Sequence, residues 1–152
     1  MSSDLKKIIE TTWEEIQSSG GSGGGELDRS QQEAVEAVIA ELDSGRLCVV
    51  DRSMNFAHHE WLKKAILLYF RMRKVKVMEA GEFRYLDKIA VKRWSGSEGV
   101  RVVPHALVRE GAFIESGAVL MPSFVNIGAR VGKGTMIDTW ATVGSCAYVG
   151  NG

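Results

Sequence analysis

Apolar residues recur at three- and four-residue steps in three stretches of the first half of the chain, which is the spacing of amphipathic helices. The pattern predicts helices over about 4–17, 30–43 and 58–71. Ser30 and Glu33 have the spacing of a capping box, which places the start of the second helix. Each helix would bury one face and expose charged residues on the other.

Shorter apolar runs predict small strands at 47–50 and 75–78. Residues 79–100 contain several glycines and predict an irregular linker, with a further short strand at about 89–92. Between the first two helices, residues 18–25 have the sequence SSGGSGGG. Because glycine and serine bury little and glycine loses much chain entropy on ordering, we expect a flexible tether there.

The pattern changes after Arg101 to a six-residue period. Apolar residues stand six apart at Leu107, Phe113, Val119, Val125, Val131, Ile137, Val143 and Val149. Small residues follow four positions later at Gly111, Gly117, Ser123, Ala129, Thr135, Ala141 and Ala147. Such hexapeptides predict a left-handed parallel β-helix, in which three short strands close a triangular coil of about 18 residues. We expect the large residues to fill the interior and the small ones to form the corners.

The chain is therefore predicted to have a small α+β N-terminal domain over 1–100 and the start of a β-helix over 101–152. Residues 107–152 would make about two and a half coils. Each coil buries its apolar side only against neighbouring coils, and residues 149–152 contain no capping helix or polar terminal coil. Either something covers this end, or the chain is a fragment whose β-helix is truncated after about two and a half coils.

The composition argues against several classes of function. The chain has 152 residues, 45% of them hydrophobic, and no apolar run approaches the length of about 18 that a membrane span needs. Its 19 basic and 19 acidic residues cancel, which argues against nucleic acid or an anionic membrane and favours small molecules or proteins as partners. Met1 is followed by a charged amphipathic pattern rather than a signal peptide, so we expect a cytoplasmic location.

Asp138 is an exception within the repeat. It follows the apolar position Ile137, where Gly132, Gly144 and Gly150 stand in other hexapeptides. A carboxylate at this position is a candidate for binding an amine and removing its proton. The alternative is a turn aspartate that tolerates an unusual backbone. The spacing alone leaves both hypotheses open.

Arg101 stands at the start of the repeat, before the run Val102-Val103-Pro104. A guanidinium holds a carboxylate through two parallel hydrogen bonds that lysine does not copy, so Arg101 is a candidate for binding an acidic substrate. The alternative is a solvated surface charge.

The other conspicuous side chains are given structural roles. His58 and His59 lie at a predicted helix start, and His105 is the only histidine in the repeat. None has further ligands at a matching spacing, so we predict no metal site. Trp140, at a hexapeptide corner, is predicted to be a packing or subunit-contact residue.

Six runs of this sequence resemble the tetrahydrodipicolinate N-succinyltransferase family. They are residues 42–47 (LDSGRL), 59–68 (HEWLKKAILL), 84–88 (RYLDK), 101–104 (RVVP), 119–128 (VLMPSFVNIG) and 134–147 (GTMIDTWATVGSCA). The last two are specific to that family, whereas the hexapeptide frame occurs in many acyltransferases. The resemblance covers nearly the whole chain. It departs at the Gly/Ser tether, and family members continue well beyond the point matched by Gly152.

The resemblance implies transfer of succinyl from succinyl-CoA to the amino group of ring-opened tetrahydrodipicolinate, in diaminopimelate and lysine biosynthesis. It implies that Asp138 is catalytic and binds the substrate amine, and that Arg101 binds a substrate carboxylate. It further implies a homotrimer with active sites between neighbouring subunits. A catalytic glutamate and most of the coenzyme A groove would lie beyond Gly152, so the coenzyme A contacts stay unassigned and we expect this chain alone to be inactive.

The rival hypothesis is a trimerising β-helical scaffold without catalysis, or a fragment that needs a complementary chain. The Gly/Ser tether and the bare C-terminal edge favour this rival, whereas Asp138 and Arg101 favour descent from a working enzyme. A third possibility is a related hexapeptide enzyme that uses acetyl-CoA.

Overall fold

A computed structural model describes residues 2–20, 26–51 and 55–152. Over these residues the helices are α1 (Ser2–Ser18), α2 (Arg29–Asp43) and α3 (Glu60–Met72). The strands are β1 (Val50–Asp51), β2 (Ala57–His58), β3 (Lys76–Ala80), β4 (Phe83–Asp87), β5 (Arg101–Val102), β6 (Leu107–Val108), β7 (Phe113–Ile114), β8 (Val119–Leu120), β9 (Phe124–Val125), β10 (Arg130–Val131), β11 (Met136–Ile137), β12 (Thr142–Val143) and β13 (Tyr148–Val149).

Contacts group the chain into two compact units. The first consists of Met1–Ile39 and Glu60–Ile89, and the second of Ala40–His59 and Ala90–Gly152. The second unit thus contains all the parallel strands together with residues 40–59, which the sequence pattern does not connect to the repeat. The predicted domain boundary at residue 100 stays a prediction.

The first unit is built on the apolar faces of its helices. Helices α1 and α3 pack against each other, and the three predicted helices are confirmed. The buried side chains of this unit include Ile9, Thr12, Ile16, Val35, Val38, Leu62, Leu68 and Tyr69. Helix α1 continues through Ser18, and residues 21–25 of the predicted tether lie outside the described part of the chain.

The cap of α2 differs from the predicted one. The N–H of Gln31 donates to Oδ1 of Asp28 (2.8 Å), and the N–H of Asp28 donates to Oε1 of Gln31 (3.0 Å). This reciprocal pair is the capping box, so the box predicted at Ser30 and Glu33 is wrong. The Glu33 carboxylate instead accepts a hydrogen bond from Nε of Arg29 (2.9 Å).

Part of the predicted linker is a β-hairpin. Strands β3 and β4 pair antiparallel from Lys76↔Asp87 to Ala80↔Phe83, which leaves only two residues in the turn. Gly81 has a φ of +61°, as the first position of such tight turns often requires. The prediction of irregular structure was wrong here because β4 is exposed along most of its length and lacks the alternation of a half-buried strand.

Two other predicted strands are displaced or reduced. Strand β1 lies slightly later than 47–50 and pairs antiparallel with β2, whereas 89–92 contains only an isolated bridge from Val91 to Arg109. Because His58 belongs to β2, α3 begins at Glu60, two residues later than predicted. The N–H of His59 donates to the carbonyl of Val49 (2.9 Å).

The parallel strands of the second unit form three separate sheets. Their orders are β11-β8-β5, β12-β9-β6 and β13-β10-β7, so every third strand along the chain lies in the same sheet. This is the arrangement of a short left-handed β-helix of a few coils, and the predicted fold class is confirmed. Each strand is only two residues long, and the chain turns a corner after each one.

The interior of the coils differs in part from the prediction. The residues that fill it are Val108, Ile114, Leu120, Val125, Val131, Ile137 and Val143, all 7% exposed or less. The prediction was wrong for Leu107, Phe113 and Val119, which precede interior residues and lie half-buried on the outer side. It was correct for Val125, Val131, Ile137 and Val143, so the interior frame shifts by one residue between β8 and β9.

The shift occurs at the corner that contains Pro122. Strands β8 and β9 start five positions apart (119 and 124), whereas the other neighbouring strands of the β-helix start six apart. A coil that includes this corner is 17 residues long, as in Phe113↔Arg130, and one that does not is 18, as in Arg130↔Tyr148. Each of the other corners between β5 and β13 contains a residue with positive φ. Proline is fixed near −65° and cannot adopt that conformation, which accounts for a different, shorter corner.

Candidate active site

The sheet of β5, β8 and β11 carries both candidate residues on its outer side. Its strand register aligns Arg101 with Val119 and Met136, and the interior residues Val102, Leu120 and Ile137 alternate with them. Two positions further along each strand, Val103, Met121 and Asp138 form a second outer column. We call these two columns the outer face. Adjacent strands lie about 4.8 Å apart and residues of a strand about 3.3 Å apart, so two strand spacings and a two-residue offset put the Arg101 and Asp138 backbones about 12 Å apart on this face.

Arg101 is exposed at the end of this sheet. Its N–H donates to the carbonyl of Ala118 (3.0 Å), which fixes the backbone of β5 to the neighbouring coil. The guanidinium makes no hydrogen bond or ion pair with any described residue. It is therefore available to hold a carboxylate from solution, and a planar fork of donors suits that purpose.

Asp138 lies at the corner after β11 and is exposed. Its Oδ1 accepts a hydrogen bond from the N–H of Thr139 (2.7 Å), and its carbonyl accepts one from Ala141 (3.1 Å). The first of these bonds is the local turn contact expected of a structural aspartate. The second carboxylate oxygen, Oδ2, makes no hydrogen bond to a described residue, so the turn role leaves one acceptor available to a ligand.

The corner beside Asp138 carries unusual backbone strain. At the other two columns of corners the positive-φ residue is glycine except at Cys146 (φ +62°), whereas this column contains no glycine at that position but His105 (φ +73°), Pro122 and Trp140 (φ +61°). A bulky residue in this region costs about 1–2 kcal/mol. The N–H of Trp140 donates to the carbonyl of Pro122 (2.6 Å), and its side chain is 83% exposed. Trp140 thus does not pack within the described chain, and the predicted subunit contact stays a prediction.

A tight loop precedes Arg101. The carboxylate of Glu98 accepts hydrogen bonds from the N–H of Ser95, the hydroxyl of Ser95 and the N–H of Gly96, each at 2.9 Å. These bonds, led by the one from the Ser95 backbone, lower the pKa of Glu98 from its ordinary value of 4.5 to about 2. Glu98 was not among the residues predicted from the sequence, although its Ser-x-x-Glu spacing is that of a capping box and was a usable signal.

The histidines are not gathered into a site. Over the described ranges 2–20, 26–51 and 55–152, no group of three or more His, Cys, Asp or Glu side chains is placed to hold a metal ion. No helix in the same residues is both long and apolar enough to cross a bilayer.

Parallel two-residue strands, three sheets and corners with positive φ define this chain as a hexapeptide-repeat protein of the left-handed β-helix class. Residues 4–72 match the family model described as tetrahydrodipicolinate N-succinyltransferase N-terminal. The chain belongs to the tetrahydrodipicolinate N-succinyltransferase family.

Similar curated proteins are named 2,3,4,5-tetrahydropyridine-2,6-dicarboxylate N-succinyltransferase. The protein from Idiomarina loihiensis is 53% identical over 127 residues, which cover 78% of this chain and 46% of the relative. The protein from Sodalis glossinidius is 50% identical over 131 residues (82% and 48%), and that from Methylobacterium sp. is 46% identical over 157 residues (97% and 54%). The chain spans about half the length of the curated relatives it matches.

Proposed function

We propose that this chain supplies Asp138 and Arg101 to the active site of an N-succinyltransferase. The enzyme would move succinyl from succinyl-CoA to the amino group of ring-opened tetrahydrodipicolinate, within diaminopimelate and lysine biosynthesis in the cytoplasm. The names of the relatives support the reaction class. The reaction needs no metal, because proton transfer and charge pairing at protein side chains are sufficient for attack of an amine on a thioester.

One observation carries the proposal for this chain's own residues. The backbones of a cation and a carboxylate, Arg101 and Asp138, lie about 12 Å apart on one outer face, and neither side chain is neutralised by an ion pair in the described chain. An amino dicarboxylate presents the complementary charges. Arg101 would hold a substrate carboxylate in a bidentate pair, and Asp138 would accept a hydrogen bond from the substrate ammonium.

Asp138 would also take part in the proton transfer. The substrate amine is protonated near neutral pH and has no lone pair for attack until that proton leaves. Asp138 would accept that proton first, and the freed lone pair of the nitrogen would then bond to the thioester carbonyl carbon. Collapse of the tetrahedral intermediate breaks the carbon–sulfur bond, and the coenzyme A thiolate leaves and takes up the second proton, which the nitrogen loses on becoming an amide. Positioned donors would stabilise the oxyanion formed in between.

We further propose a homotrimer with active sites between neighbouring subunits. Met136 and Trp140, which are 60% and 83% exposed, lie on or beside the outer face that carries Asp138. Large exposed apolar side chains next to polar candidate residues are typical of a surface that is covered on assembly. A second subunit on this face would exclude water from the amine and the thioester.

The test is release of free thiol from succinyl-CoA with 2-aminopimelate as acceptor. Asp138→Asn is the sharpest variant, because asparagine keeps an acceptor for the N–H of Thr139 while removing the base. We expect turnover to fall at least about 100-fold with an unchanged unfolding midpoint. Lys133→Ala, which alters an exposed side chain one hexapeptide earlier, is the control and should retain activity.

A fully active Asp138→Asn protein would rule out the role given to this carboxylate. Because this chain alone is expected to be inactive, the variants are compared in a protein that carries it together with the additional length of its relatives. Thiol release from that protein but not from this chain would make the present chain a folding and assembly fragment of a succinyltransferase, whereas a scaffold without catalysis would release thiol in neither form.

A further inference from the structure

The loop at 95–99 is closed by a single carboxylate. Besides the three hydrogen bonds that Glu98 accepts from Ser95 and Gly96, the N–H of Ser97 donates to Oγ of Ser95 (3.2 Å), and the two serine hydroxyls lie 2.7 Å apart. Glu98 is the acceptor on which this network converges. Charge-assisted hydrogen bonds of this kind are stronger than neutral ones, so the loop is held in one shape by Glu98.

Both ends of this loop are fixed to the first coil. Trp94 and Val100 pack against the β-helix core, and the carbonyl of Gly99 accepts a hydrogen bond from the N–H of Gly117 (2.7 Å). Gly99 has a φ of +68°, and a Cβ there would stand 2.5 Å from Oγ of Ser116. The backbone that leads into Arg101 therefore passes close to the coil, and a side chain at Gly99 would strain the backbone and displace the Ser116 hydroxyl.

The Arg101 backbone is restrained on one side only, by hydrogen bonds to the coil of β8 such as the one to Ala118. Strand β5 is two residues long and pairs only with β8, so it is an edge strand with hydrogen bonds on one side. Short edge strands are among the first segments of a protein to open. Since the Arg101 guanidinium has no partner in the described chain, the direction of its side chain depends on the backbone that the preceding loop fixes.

We propose that Glu98 is a positioning residue for Arg101: by closing the 95–99 loop it holds the start of β5, and thereby aims the guanidinium at the substrate carboxylate. This inference rests on the proposed function, because it assumes that Arg101 binds the amino dicarboxylate. Glu98 acts through Arg101 and does not touch the substrate.

The principal variant is Glu98→Gln. Glutamine keeps the size of the side chain and one acceptor oxygen, but its amide nitrogen cannot accept the N–H of Gly96. Glu82→Gln, an exposed residue of the β3–β4 turn, is the control for the same change of charge. The KM for 2-aminopimelate and the KM for succinyl-CoA are measured in a catalytically active protein that carries this chain together with the additional length of its relatives. The third measurement is the NMR order parameter of the Arg101 Nε–H group.

We expect Glu98→Gln to raise the KM for 2-aminopimelate by about fivefold, the size of effect that follows from losing the preorganisation of one side chain. The KM for succinyl-CoA and the unfolding midpoint should stay unchanged, and the Arg101 order parameter should fall. In an Arg101→Lys background, Glu98→Gln should raise the KM no further, because the side chain through which it acts is already altered.

The outcomes separate the two proposals. If Arg101→Lys raises the KM for 2-aminopimelate but Glu98→Gln changes neither that KM nor the Arg101 order parameter, the positioning role is wrong and the proposed function stands. An equal rise in the Arg101→Lys background would also overturn the positioning role, since Glu98 would then act independently. If Arg101→Lys leaves the KM unchanged, the proposed role of Arg101 fails, and this inference fails with it.

Discussion

Gly45 occupies a position where a side chain has no space. Its φ is +76°, and a Cβ there would lie 2.6 Å from ring carbons of Phe113. Its carbonyl accepts a hydrogen bond from Nη1 of Arg130 (3.0 Å), and the Arg130 guanidinium lies over the Phe113 ring at 4.8 Å from the centroid. Arg130 also pairs with Glu115 (2.9 Å). The chain after α2 is thus held against the outer side of β7 and β10.

We predict that Gly45→Ala lowers the free energy of unfolding by about 2–4 kcal/mol, from left-handed strain of about 1 kcal/mol and overpacking against Phe113. Gly134→Ala is the matched control, because Gly134 has a similar φ of +70° and no atom lies within 4 Å of the point that an added methyl group would occupy. It should lose only the strain. Urea unfolding measures both, and equal losses would show that the Phe113 contact carries no cost.

At this scale the sequence identified residues that break a pattern. Asp138 interrupts a glycine position and Arg101 precedes the repeat, so both could be singled out, and the structure places them on one face. Lys92 could not be assigned in the same way, because its role depends on a partner brought close by folding: Asp43 is 49 positions away in the sequence. Glu98 differs from Lys92, since its partners Ser95 and Gly96 are local and their spacing was a usable signal.

Lys92 anchors the C-terminal end of α2 within the second unit. Its Nζ contacts Oδ1 of Asp43 (2.7 Å), the carbonyl of Asp43 (3.0 Å) and the carbonyl of Ala112 (3.1 Å). The N–H of Gly111 donates to the same Oδ1 (2.9 Å). A cation at a helix C-terminus interacts favourably with the exposed carbonyls and the helix dipole. This ammonium is the point at which the helix end and the β6–β7 corner meet.

We predict that Lys92→Met lowers the free energy of unfolding by about 2–3 kcal/mol, because it leaves Asp43 and two carbonyls without a cation in a largely buried position. Arg46→Met is the control: Arg46 pairs with Glu41 on the surface of the same segment (2.7 Å) and should change stability little. Thermal unfolding compares the two variants. Similar small losses in both would show that the Lys92 cluster is no stronger than a surface ion pair.

The loop closed by Glu98 should depend on pH in the acid range. Its pKa is lowered from 4.5 to about 2 in the folded chain, so the carboxylate stabilises the loop at pH values above 4.5. That contribution is lost as the pH falls from 4.5 towards 2, since protonation removes the acceptor charge. We expect an NMR titration of the Glu98 carboxyl to give a midpoint near 2. A midpoint near 4.5 would contradict the hydrogen-bond network.

Among the elements, periodicity predicted the helices and the class of repeat, but not every strand. The hairpin of β3 and β4 was missed because it buries neither face consistently, so burial leaves little imprint on its sequence. The interior frame was misassigned before Pro122 because Leu107, Phe113 and Val119 are apolar yet lie on the outer side. Interior residues lie six apart up to Leu120 and again from Val125, but the step between these two is five residues. A count of six from Leu107 therefore names outer residues before Pro122 and interior residues after it.

For the whole molecule, the proposed trimer depends on the exposed side chain of Trp140. We predict that Trp140→Gly weakens self-association, measured by sedimentation equilibrium, without loss of folding. Glycine adopts the +61° φ of this position readily, so the corner is preserved while the aromatic surface is removed. Cys146→Gly is the control, because Cys146 has nearly the same φ (+62°) at a different column of corners. Unchanged association in Trp140→Gly would exclude this residue from the interface.

The corner at Pro122 limits how the coils of this chain can be recombined. A designer who duplicates, deletes or grafts coils usually treats them as interchangeable modules of one length. Among coils that lie on one side of Pro122 that assumption holds. When a segment is moved from one side to the other by counting in sixes, its interior positions are displaced by one residue. Since neighbouring residues of a strand face opposite sides, every transplanted side chain would exchange core for solvent. A chimera across this corner therefore requires a one-residue insertion or deletion at the junction, and the short corner sets the natural boundary for exchange.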